Sequence, residues 1–413
     1  MNSYFSADFF ASNRDRLRAA VGDGVPIIVT GNGQMQQKSD EAYPFTQDSS
    51  FWYLTGLNAP DLTLVMLESE SYLLVPQRSF VREAFDGAHD KDAYVIRSGV
   101  TQVIGEVAGW QRLRAELQAA KSIATLASPP TYIKHHGLHT LPYRRRLIAK
   151  LKRINSSLTI QDIRPELAVL RSIKQPSELQ ALQRAIDITC ESLQALTSSE
   201  AFQAAKFEYE LEAELSYEFR RRSADGHAFA PIVGAGKHTT TLHYMDNNSP
   251  IAVDDAVVLD VGAGMEHYAA DITRTVSRRP ITGRYAEVFR AVADVQDYAL
   301  GLIKPGVVSA DYEKAVEAYM GEQLVRLGII QDPTHEKIRR YFPHSTSHFL
   351  GLDVHDTGDY RAPWQENMVI TCEPGIYIPE EGIGVRIEDD VLLTSDGCKV
   401  LSAACPRELT RVQ

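Results

Sequence analysis

Ala256-Val-Val-Leu-Asp260-Val-Gly-Ala-Gly264-Met-Glu-His-Tyr268-Ala-Ala-Asp271-Ile-Thr-Arg-Thr275 holds two apolar runs with a carboxylate inside each. An apolar strand, a glycine-containing turn and a second apolar strand read as a β-hairpin. With its tip at Met265-Glu266, antiparallel pairing sets Asp260 directly opposite Asp271. Opposed residues share a face with Cβ atoms about 5 Å apart. Two carboxylates that close repel each other unless a proton or a cation sits between them. Either aspartate alone is also an ordinary strand-end residue, so it is the pair that points to a metal.

Further donors lie downstream. Val369-Ile-Thr-Cys-Glu373-Pro-Gly-Ile-Tyr377-Ile378 places Glu373 in an apolar run, and Gly384-Val-Arg386-Ile-Glu388-Asp-Asp-Val-Leu-Leu393 does the same for Glu388. Strand alternation puts Arg386 and Glu388 on one face, where an arginine can hold a carboxylate ionised and orient it. A buried Arg386–Glu388 pair without a metal is the competing reading. Three of the twelve histidines, His344, His348 and His355, fall between Pro343 and Asp356, and His243 sits on the strand-like Thr241–Met245. One imidazole beside four carboxylates suits a divalent ion of intermediate hardness, such as manganese, cobalt or zinc.

Working outward, helical spacing appears on both sides of the hairpin. Ser177 and Gln180 have capping-box spacing ahead of Leu179, Leu182, Ile186, Cys190 and Leu193 at steps of three and four. Phe207, Leu211, Leu215 and Phe219 form a second stripe, with glutamates expected on the opposite side. Two more helices fit Tyr285–Leu302 and Ser309–Leu327, separated by Lys304-Pro305-Gly306. Helices, strands, helices, strands is the order, and it suggests a structural pseudo-repeat beginning near Arg171.

The N-terminal part is mixed α/β. Val25–Thr30 reads as a strand, and Leu62–Leu67 with Tyr72–Val75 reads as a hairpin around Glu68-Ser-Glu-Ser71. The basic stretch Tyr143–Arg153 reads as a solvated helix face. At 413 residues, two domains are the natural prior, 1–170 and 171–413. A net charge of −11 argues against a nucleic-acid partner, and no apolar run is long enough for a membrane span. The four scattered cysteines (Cys190, Cys372, Cys398, Cys405) and a start without a signal pattern lead us to expect reduced thiols and a cytoplasmic protein.

With these residues assembled, the second part resembles the metallopeptidase family with the pita-bread fold, which includes methionine aminopeptidase, prolidase and aminopeptidase P. Asp260, Asp271, His348, Glu373 and Glu388 match that family's ligands in order, and Asp271-Ile-Thr-Arg-Thr275, Glu373-Pro-Gly375 and Arg386-Ile-Glu-Asp-Asp390 match their surroundings. Pro44-Phe-Thr-Gln-Asp-Ser-Ser-Phe-Trp-Tyr-Leu-Thr-Gly56 resembles the N-terminal domain of aminopeptidase P, prolidase and creatinase. The bacterial aminopeptidase P branch is the nearest likeness. Thr46, Ser345 and His238 depart from its usual arginine, glycine and asparagine.

The resemblance implies an α+β chain, with a pita-bread catalytic domain behind an α/β domain serving assembly and substrate access. Two divalent ions, manganese first, would be held by Asp260 on one side and by His348 and Glu373 on the other, with Asp271 and Glu388 bridging. Such a pair lowers the pKa of a shared water. Glu373 would shuttle the proton. His355 and His243 would contact the substrate, His344 and Tyr377 would support the pocket, and Arg386 would orient Asp260. The implied substrate is a peptide with proline second, and the implied assembly is a homodimer or homotetramer, with Phe85-Asp-Gly87 as a lid contact. A dipeptide-specific prolidase, a metal-free creatinase-like hydrolase and a non-catalytic binding module are the alternatives. Retention of all five ligands disfavours the last two.

Overall fold

The computed structural model describes residues 3–128 and 137–413. The chain divides into two compact units, Met1–Leu170 and Arg171–Gln413.

The first unit is built on a six-stranded mixed sheet. Its strands are β1 (Ile27–Thr30), β2 (Thr63–Met66), β3 (Ser71–Val75), β4 (Gln102–Gly105), β5 (Ser122–Thr125) and β6 (Thr159–Asp162), in the order β4-β3-β2-β1-β5-β6. The expected hairpin is β2–β3, with Thr63 facing Leu74 and Met66 facing Ser71. Ile28, Val65, Tyr72, Leu74, Leu113 and Ile123 are buried together on it. Burying each of these large apolar side chains stabilises the unit by about 1.5–3 kcal/mol.

Helices α1 (Ala7–Val21), α2 (Ser49–Thr55), α3 (Phe80–Asp86) and α4 (Tyr143–Ile154) belong to the same unit. The Pro44–Gly56 motif has a structural explanation. Asp48 caps α2 by accepting from the Phe51 N–H at 3.0 Å, and Gly56 ends the helix at φ +66°. Every residue from Ser50 to Thr55 is buried between those two stops. The buried Arg14 of α1 donates to the Leu54 carbonyl, an acceptor in the last turn of that helix. Helix α4 buries Leu147 and Leu151 and exposes Arg145, Arg146, Lys152 and Arg153, which is a solvated basic face.

The second unit alternates helix pairs with hairpins. Helix α5 (Pro176–Thr197) buries Leu182, Ile186, Cys190 and Leu193. Its capping box is Gln175/Glu178, not the expected Ser177/Gln180. Pro176 decides this, because at the first helical position its missing N–H costs nothing and its fixed φ starts the helix early. Helix α6 (Glu208–Arg221) buries Leu211, Leu215 and Phe219, but also Glu208 and Glu218, so its glutamates are not confined to a solvent side. The second pair is α7 (Gly283–Leu302) and α8 (Ser309–Arg326).

The strands around the candidate ligands are β7 (Ile232–Ala235), β8 (Ala256–Val261), β9 (Ala263–Met265), β10 (Tyr268–Ala269) and β11 (Ile272–Ser277), then β12 (Val369–Cys372), β13 (Gly375–Ile378), β14 (Ile383–Arg386) and β15 (Asp389–Leu393). The hairpin forms, with a corrected register. Met265 pairs with Tyr268, and Glu266 and His267 make the turn at φ +45° and +71°. A two-residue turn with both centres left-handed matches the strand twist. The tip therefore lies one residue later than expected and the pairing moves by two, so Asp260 faces Thr273. Thr241–Met245 is likewise not a strand. It follows the 3-10 turn Gly236–Thr240 as an irregular loop.

Helices α7 and α8 pack on β12–β15 through Val288, Phe289, Val292, Val295, Tyr312 and Val316, against Ile370, Cys372, Val385 and Val391. That layer fixes the strand ends from which Glu373 and Glu388 project.

Candidate metal centre

The five candidate ligands leave the chain at strand ends or in the loops beside them. Asp260 is in β8, Asp271 just before β11, Glu373 between β12 and β13, and Glu388 between β14 and β15. His348 lies on an irregular segment whose Phe349 bridges to Ile370 of β12. Nε2 of His348 is 3.4 Å from an Asp271 oxygen and 3.5 Å from a Glu373 oxygen. One donor atom each from Asp271, His348 and Glu388 all lie within 4.8 Å of one another. Nδ1 of His348 is 3.0 Å from the Phe349 carbonyl, which places the proton on Nδ1 and turns the Nε2 lone pair toward the carboxylates.

A second layer holds these groups. Arg386 donates to Asp260 at 2.6 Å, to Thr273 Oγ1 at 3.1 Å and to the Tyr377 hydroxyl at 2.9 Å. Tyr377 in turn lies 2.9 Å from His344 Nε2. His344 Nδ1 faces the Ser345 carbonyl at 2.8 Å, so Nε2 is the acceptor of the tyrosine proton. Burial, with Arg386 close by, pushes the His344 imidazole down to about 3 and keeps it neutral. Thr273 Oγ1 donates to Glu388 at 2.6 Å, and the Asp271 N–H donates to Asp390 at 3.1 Å. The ring of His355 stands 4.4 Å from that of His348, nearly perpendicular to it. His243 is exposed on its loop.

The electrostatics favour cations. Burial and then the neighbouring acids push Asp271 and Glu388 well above the usual carboxylate range. Burial also drives Glu373 up to about 7, against the pull of His348 and Arg386. Buried acids that crowd one another need protons or cations. Asp260 Oδ1 is buried with no hydrogen-bond partner among the described residues, an acceptor left facing the cluster. Oxygen donors with one imidazole nitrogen suit a divalent ion. The residues present therefore fit divalent metal.

Three contributors escaped the sequence reading. Thr273 and Asp390 each sit two residues past a candidate ligand and share its face by alternation, a signal that was available. Glu313 of α8 accepts from the Thr346 and Ser347 N–H groups at 2.9–3.1 Å and so braces the approach to His348. Nothing local in the sequence marks it.

The model of metallopeptidase family M24 matches residues 180–395, and that of the aminopeptidase P N-terminal domain matches residues 10–123. Xaa-Pro aminopeptidase 3 of Mus musculus is 33% identical, covering 98% of this chain and 85% of its own length. The Xaa-Pro aminopeptidase of Haemophilus influenzae is 32% identical, covering 98% and 96%. Among solved structures, zinc-substituted Escherichia coli aminopeptidase P in complex with product matches with a TM-score of 0.87 at 29% identity, over 98% of this chain and 97% of that one. The expected α+β architecture, a pita-bread unit behind an aminopeptidase P-type N-terminal unit, is the fold found.

Proposed function

The chain belongs to metallopeptidase family M24, and from that premise we propose that it is an Xaa-Pro aminopeptidase, releasing the first residue of peptides whose second residue is proline. The observation that carries this reading is the convergence of Asp271, His348 and Glu388 donor atoms within 4.8 Å, with Asp260 and Glu373 beside them. Among the described residues no helix is long and apolar enough to cross a membrane.

Asp260, Asp271, His348, Glu373 and Glu388 would hold two divalent ions, manganese by preference, with cobalt and zinc compatible with the same donors. Such ions supply water activation near neutral pH and polarisation of the scissile carbonyl. The protein's own groups do the rest. Glu373 takes a proton from the attacking water and returns it to the departing proline nitrogen. His355 and His243 face the substrate from two loops and stabilise the oxyanion. Arg386 fixes one Asp260 oxygen, leaving the other for the ions. His344 and Tyr377 extend that hydrogen-bonded wall. A prolyl bond has no N–H at the scissile nitrogen, so recognition cannot depend on that donor.

The N-terminal unit would serve assembly, as a homodimer or homotetramer, and substrate access. Phe80 and Phe85 of α3 stand 85% and 83% exposed, which supports a surface meant for contact. Four free cysteines support a cytoplasmic location.

A peptide panel tests the activity. The manganese-loaded protein should cleave an Xaa-Pro-Xaa tripeptide, leave Xaa-Ala-Xaa intact, and turn over the dipeptide Xaa-Pro slowly. Rapid turnover of the dipeptide alone would make it a prolidase and sink the proposal.

A further inference from the structure

We propose that Asp356, gripped by Arg171 and Lys174, is a positioning residue that sets His355 against the substrate. The inference rests on the reading of His355 as a substrate-facing group.

His355 and Asp356 are adjacent and opposite in character. His355 is exposed on a segment without regular structure. The Asp356 side chain is only 1% exposed, and it accepts from Arg171 at 2.5 Å and from Lys174 at 3.0 Å. Both cations are themselves buried, with side chains 5% and 1% exposed. Lys174 Nζ also donates to the Arg171 carbonyl at 2.6 Å, and Thr357 N–H donates to Asp356 at 2.9 Å. The half-exposed Asp353 shares Arg171 at 2.7 Å. Burial alone would raise the Asp356 carboxyl, but Arg171 and Lys174 outweigh it and hold the group ionised below the usual range.

The segment is closed on itself. Asp356 N–H donates to the Phe349 carbonyl at 2.8 Å, and Gly351 N–H to the Asp353 carbonyl at 3.2 Å. It is tied outward as well. Leu350 N–H reaches the Val369 carbonyl at 3.0 Å, and the Gly351 carbonyl accepts from Ala269 N–H at 2.8 Å. Its backbone lies directly on the ion cluster, since a Cβ at Gly351 would stand 2.0 Å from Asp356 Oδ2 and 2.7 Å from Lys174 Nζ. At one end is His348 and at the other His355, their rings 4.4 Å apart. Three buried charges are a poor way to gain stability, because apolar residues of similar volume often do as well. They do fix one geometry, and the geometry fixed here is that of His355.

A double-mutant cycle tests this, using Asp356→Asn, His355→Ala and the pair, each manganese-loaded. The readouts are kcat and KM on an Xaa-Pro-Xaa tripeptide, the calorimetric Kd of the dipeptide Pro-Leu, bound metal and Tm. Asp356→Asn should lower kcat/KM about 10- to 100-fold and weaken Pro-Leu with metal content unchanged, and in the His355→Ala background it should add less than about 3-fold. Lys174→Met should behave like Asp356→Asn. Additive losses, or loss of metal from Asp356→Asn, would overturn the proposal while leaving the aminopeptidase reading intact. A fully active His355→Ala would instead remove the premise. If Asp356→Asn does not fold, the cycle is run with Lys174→Met and read by the same criteria.

Discussion

In the proposed reaction Glu373 is the residue on which the chemistry turns, and it stands 3.5 Å from His348 Nε2. Glu373→Gln keeps the shape and one oxygen donor but cannot move a proton. It should cut kcat by about 10²–10⁴ with Tm within a few degrees of the parent, as followed by steady-state kinetics and calorimetry. A variant within about 3-fold of the parent would rule out the shuttle. Residues of this kind were legible because carboxylates and a histidine inside apolar runs are costly unless something pairs them. Glu208 shows the opposite case. It is fully buried and takes the Ala235 and Ser249 N–H groups at 2.8 Å and the Tyr244 hydroxyl at 2.8 Å, holding the loop that carries His243. On a helix that repeats glutamate every few residues, it looked like any solvated one.

At the scale of elements, existence and type were readable while register was not. The apolar runs predicted β8, β11, β12 and β15, and the helical stripes predicted α5 to α8. Alternation fixes which side chains share a face, so a two-residue slip left Asp260 on the correct side while mispairing it. The turn decided the slip, and Glu266-His267 is a turn no glycine announces. Contacts between distant elements were equally hidden. Strand β14 runs so close to the 3-10 turn Gly236–Thr240 that a Cβ at Gly384 would lie 2.0 Å from the Thr239 carbonyl oxygen. That obstacle is backbone and cannot swing away. Gly384→Ala should therefore destabilise the protein by about 1–3 kcal/mol, measured as a lowered urea midpoint at unchanged slope. An unchanged midpoint would show that the two elements can part.

For the whole molecule, divalent metal bound at this site would act as a linkage between distant pieces of chain. The candidate ligands, spread from Asp260 to Glu388, meet only in the folded state, so ions that bind there would stabilise that state by mass action. At a hundredfold excess over Kd the gain is about 2.7 kcal/mol, or roughly 5–10 °C in Tm for a unit of this size. Dialysis against a chelator should lower Tm by that amount and abolish turnover, and manganese should restore both. No thermal response to any divalent ion would contradict the site. Which ion the pocket can tolerate depends on a small detail of the pleat. Cys372 precedes Glu373, yet β12 turns its sulfur away, fully buried and 3.7 Å from the Tyr312 hydroxyl. Sliding that four-residue strand by one position would bring a thiol into a bay of oxygens and tilt its appetite toward soft, thiophilic ions. The pairing of Val369 with Leu392 and of Cys372 with Asp389 thus keeps the Cys372 sulfur out of the pocket.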